Sequence, residues 1–247
     1  MVHNRLTLAV LLGSPALVIA MMTVLFRSDT FDGNEASAAG LGPGQAIFWI
    51  AFAGFFFGLT YGLLQIVGER AILRRERFGG LSPGAYLASK VALLLPVLVA
   101  VDVALLLVLR LLGRLPEADW STYAGLTVTL VLESLAALLL GLATSAAVAD
   151  AAQATLALPM LCFPQVLFAG AVVPVAQMAV PGKAISFAMA TRWTFESLGR
   201  GLQVGDIAGP HRTAFAGSPV VGWGALVITA AAAGLGAFAA VRRRTAA

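Results

Sequence analysis

Two acids lie inside otherwise apolar runs, Asp102 and Glu133. An ionisable group at membrane depth is expensive to keep and marks an ion or substrate path by default. The chemistry it would support is proton or cation binding in an ion-coupled carrier. The plainer expectation is that each acid faces another helix and pairs with a hydroxyl such as Thr127, Thr129 or Ser134, or with a loop arginine. Neither has a basic partner at the same depth in the sequence. Catalytic chemistry is poorly supplied. The Gly182-Lys183 pair lacks the glycine five residues earlier and the following Ser/Thr of a P-loop, so no nucleotide site of that type is expected in the chain. There is no HExxH motif. His3 and His211 lie in predicted loops or ends, too far from Ser134 and Ser145 to activate a nucleophile. The lone Cys162 can form neither an internal disulfide nor a metal site. No catalytic residue and no metal ligand is expected.

The elements that must position these acids follow from composition. Sixty per cent of the 247 residues are hydrophobic and 11% are charged, with a mean hydropathy of +0.91. Soluble domains carry about a quarter charged residues, so most of this surface must face lipid. Spans of about 20 residues cross a bilayer, and six fit here: about 6–26, 46–67, 83–112, 122–148, 154–173 and 220–241. The predicted fold is therefore all-α and integral to the membrane, one transmembrane domain over 1–247. Ser82 before Pro83 is a strong helix start, an N-cap followed by proline at the first helical position. Asp150 and Gln153 make a tight turn between the fourth and fifth spans. Segment 174–219 is too interrupted by proline and glycine to cross. Gly54, Gly58 and Gly62 recur every fourth residue, the spacing of close helix packing.

The formal net charge of +4 does not point to nucleic acid, because the arginines sit at the ends of apolar runs and no basic stripe carries interleaved aromatics. They set orientation instead. Arg5, Arg70, Arg74, Arg75, Arg77, Lys90, Arg242, Arg243 and Arg244 fall on one side in dense clusters, against seven spread over longer loops. Both termini are expected in the cytoplasm. The alanine, glycine, leucine and arginine bias suggests a bacterial cytoplasmic membrane.

The cytoplasmic stretch after the second span mixes acids with arginines and adds Ile72, Leu73 and Phe78. Anionic headgroups alone would not call for acids, whereas a charged protein partner would. Glu69-Arg70, Arg75-Glu76, Gly80, Ser82, Ala85-Tyr86-Leu87, Lys90 and Pro96 together resemble the permease domains of ABC type-2 exporters, particularly the G-subfamily of White and pleiotropic drug resistance type. A second block agrees: 168–174 resembles the outer end of that family's fifth span, and Arg192, Trp193, Phe195, Glu196 and Leu198 resemble the motif after its re-entrant outer helix. The family's bulky outer pair is Ala171-Val172 here.

The resemblance implies a permease without its own nucleotide site, moving a drug, lipid or glycolipid outward. It implies a coupling helix between spans 2 and 3 with Glu69, Arg70, Arg74, Arg75, Glu76, Arg77 and Phe78 on the ATPase. A re-entrant outer segment lies between spans 5 and 6, and the outer gate is Gly170, Ala171, Val172 and Val173. The substrate path is lined by Phe52, Phe55, Phe56, Met160, Phe163 and Phe168. ATP and Mg are bound by a partner ATPase; only five residues precede the first span, so the ATPase is expected as a separate chain, the alternative being a true start further upstream. A second permease copy, identical or paralogous, completes the slit. The alternatives are an ion-coupled carrier using Asp102 and Glu133, and a non-transporting immunity or assembly subunit.

Overall fold

Helix starts are set by local chemistry that the structure, a computed structural model, shows directly. It describes residues 5–28, 30–31, 42–69, 82–207 and 211–246. The Ser82 hydroxyl accepts from the Ala85 N–H at 3.3 Å, satisfying one of the unpaired donors of the first turn. Asp150 accepts from the Gln153 N–H at 2.8 Å, and the Gln153 side chain accepts from the Ala149 N–H at 2.8 Å. This reciprocal pair lets two spans follow each other with almost no loop.

The long helices are α1 (Arg5–Leu25), α2 (Pro43–Leu63), α3 (Pro83–Leu111), α4 (Trp120–Ala147), α5 (Ala151–Phe168) and α8 (Val220–Ala246). Two shorter helices, α6 (Val180–Phe187) and α7 (Ala190–Gly201), lie between α5 and α8. No strand occurs among the described residues. Among the described residues, five stretches are long and apolar enough to cross a membrane: Pro43–Glu69, Pro83–Leu111, Trp120–Ala147, Ala151–Phe168 and Val220–Arg243. The first expected span, 6–26, coincides with the 21-residue α1. The fifth helix ends five residues before the expected 173. Gly170 takes φ +90°, a backbone region that side chains rarely adopt, so Ala171, Val172 and Val173 form a bend rather than a last helical turn.

The spans are not equivalent. The apolar window of α2 is 72% buried inside the protein and that of α5 only 11%. So α2 is the central helix, and α5 offers most of its surface to lipid or a neighbour. What makes α2 central is backbone proximity. A Cβ placed on Gly58 would stand 2.3 Å from the Ser134 carbonyl oxygen, and one on Gly62 2.5 Å from that of Leu138. From the other side, a Cβ on Gly141 would stand 2.7 Å from the Leu59 carbonyl. Only glycine lets the two backbones meet at this distance, the small-residue packing of membrane helices. Across from this seam, Phe48, Phe52 and Phe56 stack along α2 with centroids 6.0 and 6.3 Å apart.

Because the clash at Gly58 is with backbone, no side-chain rotation can relieve it. Gly58→Leu is expected to cost on the order of 3 kcal/mol or more and to lower the melting temperature of the detergent-purified protein by many degrees. Gly224→Ala is the control. A Cβ there meets nothing within 4 Å, and alanine favours helix by up to about 1 kcal/mol. An unchanged or higher melting temperature is expected for it.

Candidate transport site

The glycine seam carries both membrane-depth acids into the protein interior. Asp102 on α3 and Glu133 and Ser134 on α4 are fully buried. The Ser134 hydroxyl lies 2.9 Å from Asp102 Oδ2 and 3.1 Å from the Gly54 carbonyl, joining three helices through one oxygen. Of the three hydroxyls expected to meet the acids, Ser134 alone does. Thr127 donates back to Tyr123, and Thr129 donates to the Gly125 carbonyl while accepting from Trp223 Nε1 of α8 at 2.8 Å.

Glu133 faces the other way. A Cβ on Gly54 would lie 3.3 Å from its Oε2, and the hydroxyls of Thr191 and Thr194 on α7 approach it without closing a hydrogen bond. Both Glu133 oxygens, Asp102 Oδ1 and the two threonine hydroxyls are buried and unpartnered. No basic side chain pairs with either acid among the described residues.

Helix α7 is polar for an element so deeply set. Nine of its 12 residues are buried. Glu196 accepts from Arg192 at 3.0 Å and from Arg200 at 2.8 Å, a ladder at i±4 spacing. Arg200 also donates to the Ala214 carbonyl, and Arg192 lies over the Trp193 ring at 4.5 Å. A Cβ on Gly222 would fall 1.9 Å from Ser197 Oγ, so α8 is pressed against α7. The Arg192–Glu196–Arg200 ladder thus satisfies the charges within α7, while the Arg200 bond to Ala214 and the close approach of Gly222 hold α7 to the bundle.

Beneath α7 lies a cavity of about 460 Å³ between α2, α4, α5 and α8. Phe55 and Met160 line it, with Ala136, Leu140, Gln165 and Thr229. The other four residues expected along the substrate path lie elsewhere. Phe52 and Phe56 belong to the aromatic stack, Phe163 is exposed on α5, and Phe168 is half-buried beside Gly182. At the gate residues, Gly170 and Ala171 are buried, and Val172 and Val173 are exposed. Gln165 was missed by sequence reasoning. A single polar residue at mid-span was its one available signal.

At the opposite end of the bundle, Glu69 closes a short 3₁₀ turn after α2. Lys90 of α3 donates to it at 2.6 Å and the Tyr86 hydroxyl at 3.1 Å. Of the residues expected to couple to an ATPase, Glu69 therefore clamps its own chain. Arg70, Arg74, Arg75, Glu76, Arg77 and Phe78 lie outside the described residues.

The buried polar groups between apolar helices define a multi-pass membrane protein. Residues 1–201 match the family model described as ABC-2 type transporter, and the chain belongs to that family. The ABC transporter ATP-binding/permease protein Rv1747 of Mycobacterium tuberculosis is 33% identical over 162 residues, which are 62% of this chain. They are 18% of that protein, so the chain spans less than a fifth of its relative's length.

One group outside the spans is sensitive to pH. His211 is buried between Phe195 and Phe215, its ring against the Gly44 backbone and its Nδ1 unpartnered. Burial holds its pKa below the ordinary value of about 6.5. Its stabilising contribution is therefore complete above that value and lost as pH falls below it, when only the unfolded chain takes up the proton readily. The melting temperature should fall between pH 7 and pH 5, and His211→Phe should flatten that slope.

Proposed function

We propose that this chain is the membrane permease of an ATP-driven exporter moving a lipophilic substrate, a drug, lipid or glycolipid, across a bacterial cytoplasmic membrane. The family membership carries the reading, and the ATP-binding part of the relative's name supports a nucleotide-driven engine. The chain is taken as one transmembrane domain over 1–247 with six spans, α1 supplying the first, and both termini in the cytoplasm. The motifs around Glu69 and Glu196 favour a G-subfamily type. The ATPase, binding ATP and Mg, is a separate chain, and two permease copies pack around a slit.

The clamp between Glu69 and Lys90 gives the coupling role a physical basis. It ties the turn after α2 to α3 two turns past that helix's start, at one end of the bundle. Force applied to segment 70–81 is then delivered to α2 and α3 at once. Closure of the ATPase pair would pull on α2, and the glycine seam would pass the movement to α4 and α7. In this scheme α6 and α7 together form the re-entrant outer segment, and the bend at Gly170, Ala171, Val172 and Val173 is the outer gate. Phe55 and Met160 are the contacts best placed for substrate, and the exposed Phe163 suits a second copy across the slit. An ion-coupled carrier is the second reading, favoured by the unpartnered oxygens of Asp102 and Glu133.

Reversing Arg74 and Arg75 to Glu tests the dock. A charge facing its own sign in a buried interface costs several kcal/mol. The double variant should insert normally yet lose co-purification with the ATPase and substrate-stimulated hydrolysis by more than tenfold. Equal pull-down and hydrolysis would remove the coupling role from this segment.

A further inference from the structure

The cavity below α7 has an apolar lining with two polar side chains, Gln165 and Thr229. Thr229 donates its proton to the Ala225 carbonyl at 2.9 Å, leaving only lone pairs to offer. Gln165 is 5% exposed, in the last turn of α5. Its Oε1 accepts from the backbone N–H of Thr191 at 3.1 Å. That N–H belongs to the first turn of α7, where Met189 provides no side-chain cap. The bond does two things. It satisfies an unpaired helix donor, and it fixes the amide orientation, because an N–H can be met only by the oxygen. The Nε2 group then has no hydrogen-bond partner among the described residues and is not sealed from the cavity that Gln165 lines.

A free amide donor in an otherwise greasy pocket is a selection device. Apolar sites take their specificity from a few placed polar groups. A donor left unpaired on binding discriminates against ligands that cannot accept from it. We propose that Gln165 is the polar anchor of this cavity and that the cavity selects molecules combining an apolar body with one hydrogen-bond acceptor, such as an ester carbonyl. The proposal rests on the cavity being part of the substrate path. The same amide couples ligand to fold: whatever accepts from Nε2 is held by the residue that caps α7, next to Glu133.

The test uses a matched pair of photoreactive probes: a long-chain alkyl ester carrying a diazirine, and the alkane analogue with methylenes in place of the ester. Both are compared at equal mole fraction in nanodiscs holding the full chain with its ATPase. In the wild type, the ester should half-saturate labelling of the α5 and α7 peptides at about tenfold lower concentration, the effect of one neutral hydrogen bond. Gln165→Leu should erase that preference. Gln165→Glu keeps an oxygen for the Thr191 N–H but offers a donor only while its carboxyl is protonated. Its ester preference should persist at low pH and disappear once the carboxyl ionises, while the wild-type preference stays constant over the same range, which separates selection from folding. An ester preference that survives Gln165→Leu, that does not change with pH in Gln165→Glu, or that is absent from the wild type overturns the proposal. Labelling of no cavity peptide by either probe also overturns it. If ATPase-dependent export persists in that case, the exporter reading stands without this cavity.

Discussion

The close approach of α2 and α4 is the constraint on which the rest of the molecule depends. Membrane helices gain little from hydrophobic association, because lipid is as apolar as leucine, so contact must come from shape and from polar pairing. Here shape comes from Gly54, Gly58 and Gly62 against Gly141 and the backbone from Ser134 to Leu138. At that separation the Ser134 hydroxyl reaches the Gly54 carbonyl and Asp102 together. One wider residue in the seam would open the helix pair and strand a carboxylate.

A second consequence concerns α7. A helix with three charged side chains does not bury itself for hydrophobic reasons. It is held because its charges are satisfied internally by the Arg192–Glu196–Arg200 ladder, and because Gln165 caps its first turn. Thr191 and Thr194 face Glu133, so α7 and the seam share one buried polar region. Movement of α7 must alter that region, and movement of α4 must be felt at the cavity roof. The same seam that fixes the helices also provides a rigid link between the Glu69 end and the α7 end.

Much of this was legible in the sequence where the signal is local or periodic. The Ser82 cap, the Asp150–Gln153 turn and the four-residue glycine period each depend on neighbours along the chain, and each appears as read. The early end of α5 was not legible, because a glycine is as compatible with continued helix as with φ +90° until the next segment is placed. Which hydroxyl meets Asp102 depends on the rotation of α4 about its axis. Thr129 points away from Ser134, whereas Thr127 shares its face two turns nearer the helix start, so depth as well as packing chooses among them. Gln165 was invisible for a related reason: its partner is a backbone N–H 26 residues away, which has no sequence signature. Phe52 and Phe56 stack along their own helix and do not line the cavity, an arrangement that aromatic content alone does not reveal.

The central claim is that the chain moves its cargo only when an ATPase drives it. The direct measurement is flux of a fluorescent short-chain lipid in liposomes containing the purified chain, with and without a partner ABC ATPase, in the presence and absence of ATP and with ion gradients collapsed. The account predicts flux only with both ATPase and ATP present, undiminished by loss of the gradients. Flux by the chain alone without ATP, abolished by collapsing a proton or sodium gradient and by Glu133→Gln, would contradict it.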